Sequence, residues 1–191
     1  MLIPSDTYWF PLRIRNSSAS RQRKLKALLD EEEGVERTYI PMEFVKVNDI
    51  KMDFAPMVVN FIFVRTTLNQ MRQIKADMVH YEPLRFIMHP VCDEKFQAHN
   101  EILTVPDWQM EDFIRVTAEP NEKVIFLDNL DYAFRPSQEV QITDGPYTGV
   151  IGRIKRIHGN KCVVLPLQGA MAVAILDVPR KFLRLLETET E

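Results

Sequence analysis

The stretch from Glu139 to Gly169 constrains the fold more than any other, because its turns are written in residues that strands do not hold. Val140 and Ile142 alternate with polar neighbours, and Asp144, Gly145 and Pro146 then end the strand near Thr143, since proline lacks a ladder donor and glycine reaches positive φ cheaply. Gly149 and Gly152 fall inside the next apolar run, where glycine marks a bulge, a bend or the close passage of another backbone. The segment His158 to Lys161 reads as a second turn before a strand over Cys162 to Leu167. Gln168 and Gly169 read as a third, before a strand over Met171 to Leu176. With Phe182 to Leu186 as a fifth strand, this spacing predicts a small closed β-barrel.

The remaining chain must explain why a barrel is appended to it. Its 191 residues allow one or two domains, and a hydrophobic content of 46% is ample for their cores. The net charge of -3 hides a local asymmetry: Thr7 to Leu29 carries six cations and no acid, whereas Asp30 to Glu36 carries five acids. Cys92 and Cys162 are too few for a disulfide framework and form no CxxC, so a reducing cytoplasm is expected. The opening residues MLIPSDTYWF lack the basic and apolar regions of a signal peptide, and no run approaches the roughly 18 apolar residues of a membrane helix. The expectation is a soluble, cytoplasmic monomer that does not engage a membrane.

Taken in order, Tyr8 to Arg15 predicts a first strand, with Pro11 implying an edge or a bulge. Ser17, Ser18 and Ser20 offer N-caps for a helix from about Arg21 to Leu29, whose leucines at 25, 28 and 29 share a face. Gly34 stops it, and a strand returns from Val35 to Phe44, ending near Ile40 and Pro41, while Val45 to Ala55 is ambiguous. Met57 to Val64 is the strongest strand in this half, with Met57, Val59, Phe61 and Phe63 on one face and Val58, Ile62 and Val64 on the other. With helices on one side only, the second face would stay exposed as an aromatic binding surface; helices, a loop or a partner domain would otherwise cover it. A helix over Leu68 to Met78, a strand over Leu84 to Met88, another near Ile102 to Val105 and a helix starting at Pro106 and Asp107 complete the half. The expected class is α+β, an antiparallel sheet with helices over residues 1–118, a partly ordered linker over 119–136 and a barrel over 137–191.

The run Val140 to Ile154, V-x-I-x-D-G-P-Y-x-G-x-x-G-x-I, resembles the KOW motif of NusG-type transcription factors and of some ribosomal proteins. The front half resembles the NGN domain of the same factors, through Trp9-Phe10, Tyr39-Ile40-Pro41 and the run Pro56 to Val64 in the family's order. Within that family the segments VVNFIFVRTT, PLRFIM and VPDWQMEDFIRV are similar to the UpxY-type antiterminators of capsular polysaccharide operons in Bacteroidetes. Val58-Val59-Asn60-Phe61 departs from the general Phe-Pro-Gly-Tyr pattern and favours a specialised paralogue. The resemblance implies an SH3-like KOW barrel and an RNA polymerase-binding patch for the clamp coiled coil at Phe61 and Phe63, with Met110 and Phe113. It also implies a KOW partner that is a ribosomal protein, the Rho terminator or nucleic acid. The function implied is transcription antitermination or elongation on one operon, with a general NusG-type factor or a ribosome-binding KOW protein as the alternatives. Some paralogues carry His-Thr-Thr for a second polymerase contact, but Met71-Arg72-Gln73 stands here instead.

Among other candidate chemistry, Arg153, Lys155, Arg156 and Lys161 surround the second barrel turn with no acid between them. They would hold phosphates without reading sequence, or serve as a solvated edge that blocks strand pairing. Tyr147 beside them would stack on a base or pack internally. The cations Arg13, Arg15, Arg21, Arg23 and Lys24 offer a second basic face. No catalytic residue, metal ligand set or cofactor is expected: the histidines and cysteines lack ligand spacing, the barrel glycines precede no Gly-Lys-Ser/Thr, and there is no GxSxG. An enzyme is not expected.

Overall fold

A computed structural model describes residues 2–46, 52–56, 58, 60–92, 98–119, 121–127, 137–157, 159–167 and 169–186. The chain is mixed α/β with antiparallel sheets, and it divides into two units, Met1–Met110 and Glu111–Glu191. The expected faces at Met57 and Val59, the turn residue His158 and the linker residues 128–136 lie outside the described residues.

In the first unit a four-stranded sheet runs in the order β2-β5-β1-β6, with β1 Thr7–Ile14, β2 Val35–Tyr39, β5 Phe61–Thr67 and β6 Leu84–Phe86. Strand β1 lies between β5 and β6, pairing Thr7 to Arg13 with Thr67 to Phe61. A proline is tolerated there for a readable reason. The Ile14 amide donates to Asn60 O across the β5 side, so by alternation residues 9, 11 and 13 turn their amides the other way. Pro11 thus faces the gap between the bridge at Trp9, whose carbonyl accepts from Val105 N, and the β6 pairing that begins at Leu12. It is neither on an edge strand nor at a bulge, and no ladder bond is lost.

Helix α1 (Ala19–Glu31) is capped by Ser18, whose hydroxyl accepts from Arg21 N at 3.2 Å, and Gly34 reverses the chain after it at φ +82°. Helix α2 (Leu68–Ala76) is capped in the same way by Thr67, which accepts from Gln70 N at 3.1 Å. Both helices cover one face of the sheet, where Phe10, Leu12 and Ile14 of β1 and Ile62 and Val64 of β5 meet Leu25, Leu29, Leu68, Met71 and Ile74. Burying each such side chain is worth about 1.5–3 kcal/mol. Gln22, fully buried on α1, donates its amide to the carbonyls of Val58 and Phe61 and so ties the helix to the entry of β5. The strand expected over Val35 to Phe44 is divided at Ile40 and Pro41 into β2 and β3 (Met42–Lys46), and β3 pairs as a separate hairpin with β4 (Met52–Pro56) from the ambiguous stretch Val45 to Ala55; a further ribbon joins β7 (Met88–Cys92) to β8 (Ala98–Ile102).

In the second unit the order is β14-β10-β11-β12-β13-β9, with β9 Val124–Phe126, β10 Glu139–Ile142, β11 Ile151–Ile157, β12 Asn160–Leu167, β13 Met171–Leu176 and β14 Leu183–Leu185. All five strands predicted here are present, and β9 is a sixth, contributed by the segment expected as a linker. The expected closed ring is not seen: among the described residues no pairing joins the two ends of this sheet. The outer edge of β13 is taken by β9, with Val173, Ala174 and Ile175 opposite Phe126, Ile125 and Val124, so β14 finds no strand to close on there. One face packs Val140, Val163, Leu165, Val173 and Ile175, and the other packs Cys162, Val164, Ala172 and Ala174. Gly152 is fixed by close approach, because a Cβ on it would stand 2.6 Å from Val163 Cγ1 and 2.8 Å from Val164 O. Gly149 is fixed by conformation, at φ +92°.

Candidate functional site

The second face of the amino-terminal sheet follows from the register. Trp9, Pro11 and Arg13 of β1 stand opposite Arg65, Phe63 and Phe61 of β5, so these six side chains share one surface. The structure does not leave that surface open: Phe61 is 5% exposed, and Phe63 is fully buried. The cover within this unit is traceable. After the Trp9–Val105 bridge the chain enters α3 (Asp107–Thr117), and Asp107 reaches the face, receiving Arg65 Nε at 3.2 Å and Nη2 at 3.0 Å. Arg65 also binds Glu36, which lies where the β2 register shifts between Val35 and Arg37, and Glu36 accepts from Thr7 Oγ1 at 2.9 Å. Arg37 and Arg65 are directly paired, and Glu36 at the shift binds Arg65, which offsets the charge of that arginine.

Met110 and Phe113 are each fully buried on α3. They are core residues in the free chain, as are Phe61 and Phe63. What is exposed around this face is different. Arg13 is exposed and stands over the Phe61 ring, 5.6 Å from its centroid, and Trp108, beside Asp107, is 55% exposed. Trp108 stands outside the apolar stripe of Met110, Phe113 and Ile114, so the helical period does not single it out in the sequence. Arg72 and Gln73 are exposed on α2, whereas Met71 is core.

The four cations of the second unit do not form one patch. In the β11–β12 hairpin Arg153 and Lys155 face Val164 and Cys162, while Arg156 faces Lys161 on the other side. Arg153 is paired with Glu139 across β10 at 3.2 Å, and Lys155 is 8% exposed. Arg156 and Lys161 are brought together as directly opposed like charges, both exposed. Tyr147 is half-buried and accepts Asn121 Nδ2 at 2.9 Å, and burial pushes its phenol above the ordinary range.

Asp112 accepts Ile151 N at 3.1 Å, with its carboxyl raised by burial against the lowering effects of that amide and of Arg115. Burial likewise raises the Cys162 thiol. His80 contacts Asp77 at 2.7 Å and His99 contacts Glu101 at 3.2 Å, and each hydrogen bond holds its carboxylate below the usual range. Among the described residues no group of three His, Cys, Asp or Glu is placed to hold a metal ion, and no helix is long and apolar enough to cross a membrane.

No family model matches the chain, and no curated protein does. The chain is similar to a solved structure described as domain interaction in Thermotoga maritima NusG, with 17% identity and a TM-score of 0.46 over 95% of this chain and 98% of that one.

Proposed function

We propose that the chain is a NusG-type transcription factor with an NGN domain in the amino-terminal unit and an SH3-like KOW barrel in the carboxy-terminal one. The observation that carries the reading is the agreement of motif and backbone between Val140 and Ile154. Of the three motif glycines, Gly145 and Gly149 adopt positive φ and Gly152 sits where no Cβ fits. The NGN domain docks on the RNA polymerase clamp coiled coil, with Arg13 and Trp108 as first contacts and Phe61 and Phe63 backing them from beneath. Met110 and Phe113 support α3. The KOW barrel then recruits a ribosomal protein, Rho or nucleic acid.

The specialised motifs favour antitermination on one operon, for surface polysaccharide synthesis, in the cytoplasm and without a cofactor or catalytic step. Such a factor acts by binding the closed, pause-resistant state of the clamp more tightly than the open one. A preference of about 1.4 kcal/mol changes the ratio of the two states tenfold. Pull-down of polymerase by wild type, Phe61→Asp and the exposed variant Arg13→Glu tests the docking surface; equal recovery by all three refutes it. Deleting the gene should shorten transcripts of one operon. Changes across the whole transcriptome would instead mark a general NusG-type factor.

A second reading, RNA binding by the barrel, is favoured by the opposed Arg156 and Lys161. It predicts an affinity that falls steeply with salt and weakens on Lys161→Glu.

A further inference from the structure

The carboxy-terminal sheet ends at β14, and the hydrogen-bond pattern there leaves an edge. Thr143 N donates to Phe182 O at 2.8 Å and Leu186 N donates to Glu139 O at 2.9 Å. By antiparallel alternation Arg184 directs its backbone groups at β10, while Leu183 and Leu185 direct theirs outward. The Leu183 amide turns back to Arg180 O, so the carbonyls of Leu183 and Leu185 and the amide of Leu185 have no partner among the described residues. The strand is three residues long, and its outward positions carry neither a charge nor a proline, two of the protections of an edge.

Beside this edge lies a pocket of about 240 Å³, below the roughly 300–1,000 Å³ of small-molecule sites and suited to one or two side chains. Its walls are apolar: Val140, Ile154, Val163, Val178, Leu183 and Leu185. Leu185 is 58% exposed although it pairs with the fully buried Val140. Two cations, Lys161 and Arg180, with the neutral Gln138 and Cys162, complete the lining, with no carboxylate among them. The nearest acid on β10, Glu139, stands on the opposite face and is held by Arg153.

We propose that β14 and this pocket form a docking site for an extended peptide segment of a partner protein in which acidic and apolar residues alternate. The segment adds a strand to β14 through the outward groups of Leu183 and Leu185. It seats an aliphatic side chain in the pocket and sets its carboxylates on Lys161 and Arg180. Main-chain pairing supplies affinity, and the pocket with its cations supplies selection. The site does not depend on the transcriptional reading, and it is distinct from the aromatic face of the first unit.

The test uses the full chain and a fluorescein-labelled hexapeptide, Glu-Val-Glu-Leu-Glu-Val, with its Lys-Val-Lys-Leu-Lys-Val counterpart as control. Anisotropy is expected to show saturable binding of the acidic peptide at about 10–100 µM, a range typical of short-segment recognition. The double variant Lys161→Glu/Arg180→Glu, at exposed positions, is expected to bind at least tenfold more weakly, and the lysine peptide not to bind wild type. Binding is also expected to slow hydrogen exchange of the Leu185 amide. Equal binding of both peptides, no effect of the double variant or unchanged exchange at Leu185 overturns the proposal. So does a tenfold gain in affinity on truncation after Leu186, which would assign the pocket to the chain's own acidic end, or a homodimer that the peptide dissociates.

Discussion

The two units each bury a central antiparallel strand pair, but they specify it by different means. In the first, α1 and α2 lay a continuous stripe of Leu, Met and Ile over β1 and β5, and the strands need only present side chains of the right volume. In the second, the cluster of Cys162, Val164, Ala172 and Ala174 is small, and neighbouring strands approach so closely that the position of one glycine decides the packing. One core is set by side-chain volume and the other by backbone proximity.

That contrast is breakable by experiment. The largest effect is expected at Phe10, fully buried and edge-on to Tyr8 and Phe86 at 6.1 and 6.2 Å: Phe10→Ala should cost the first unit about 3–5 kcal/mol in denaturant unfolding. Gly152→Ala adds a single methyl yet should cost the second unit about 1–3 kcal/mol, because Val163 and the Val164 carbonyl cannot both withdraw. A neutral Gly152→Ala would erase the distinction between the units. Thr67→Ala, which removes the α2 cap, should cost about 1 kcal/mol, read as a shift of the denaturation midpoint.

The smallest effect is a pH slope from Asp112. Burial raises its carboxyl above the ordinary 3.8, so the folded chain holds that proton more tightly than the unfolded chain. Its contribution to stability therefore falls as pH rises from about 3.8 through the raised value and is level above it. Denaturation across that window should show the wild type losing stability relative to Asp112→Asn, which can still accept from Ile151 N; the comparison is with the variant because Glu82 and Glu101, held low, add the opposite slope to both.

The sequence made legible what depends on period and punctuation. The cap at Ser18, the stop at Gly34 and the strand at Met171–Leu176 are local signals, and the chain forms each where they stand; of the leucine stripe, Leu25 and Leu29 are buried but Leu28 is exposed, its place on the core face taken by Gln22. The β3–β4 hairpin was ambiguous because Lys46, Asp53 and their neighbours break its alternation, and its cross-strand pairing is invisible in a linear pattern. Strand β9 is only three residues long and acquires its identity from β13, far along the chain. The candidate surfaces were harder still. A residue type signals Phe61 or Lys155, but only the register tells that one lies beneath Arg13 and that the other turns away from Arg156 and Lys161. Gln22, hidden in a run of cations, acts through two carbonyls that no sequence pattern places near it.

The attachment of β9 has a consequence for how the second unit is assembled and handled. Strands β10 to β13 follow one another as a meander and close short loops, whereas β9 pairs with β13 across the whole meander, so its pairing carries a larger loop-closure cost than theirs. Until it forms, β13 presents MAVAIL as an uncharged, strongly β-forming edge, the kind of segment that recruits a second chain. A fragment beginning at residue 137 would keep that edge bare permanently and should self-associate, whereas one beginning at residue 121 carries its own guard strand.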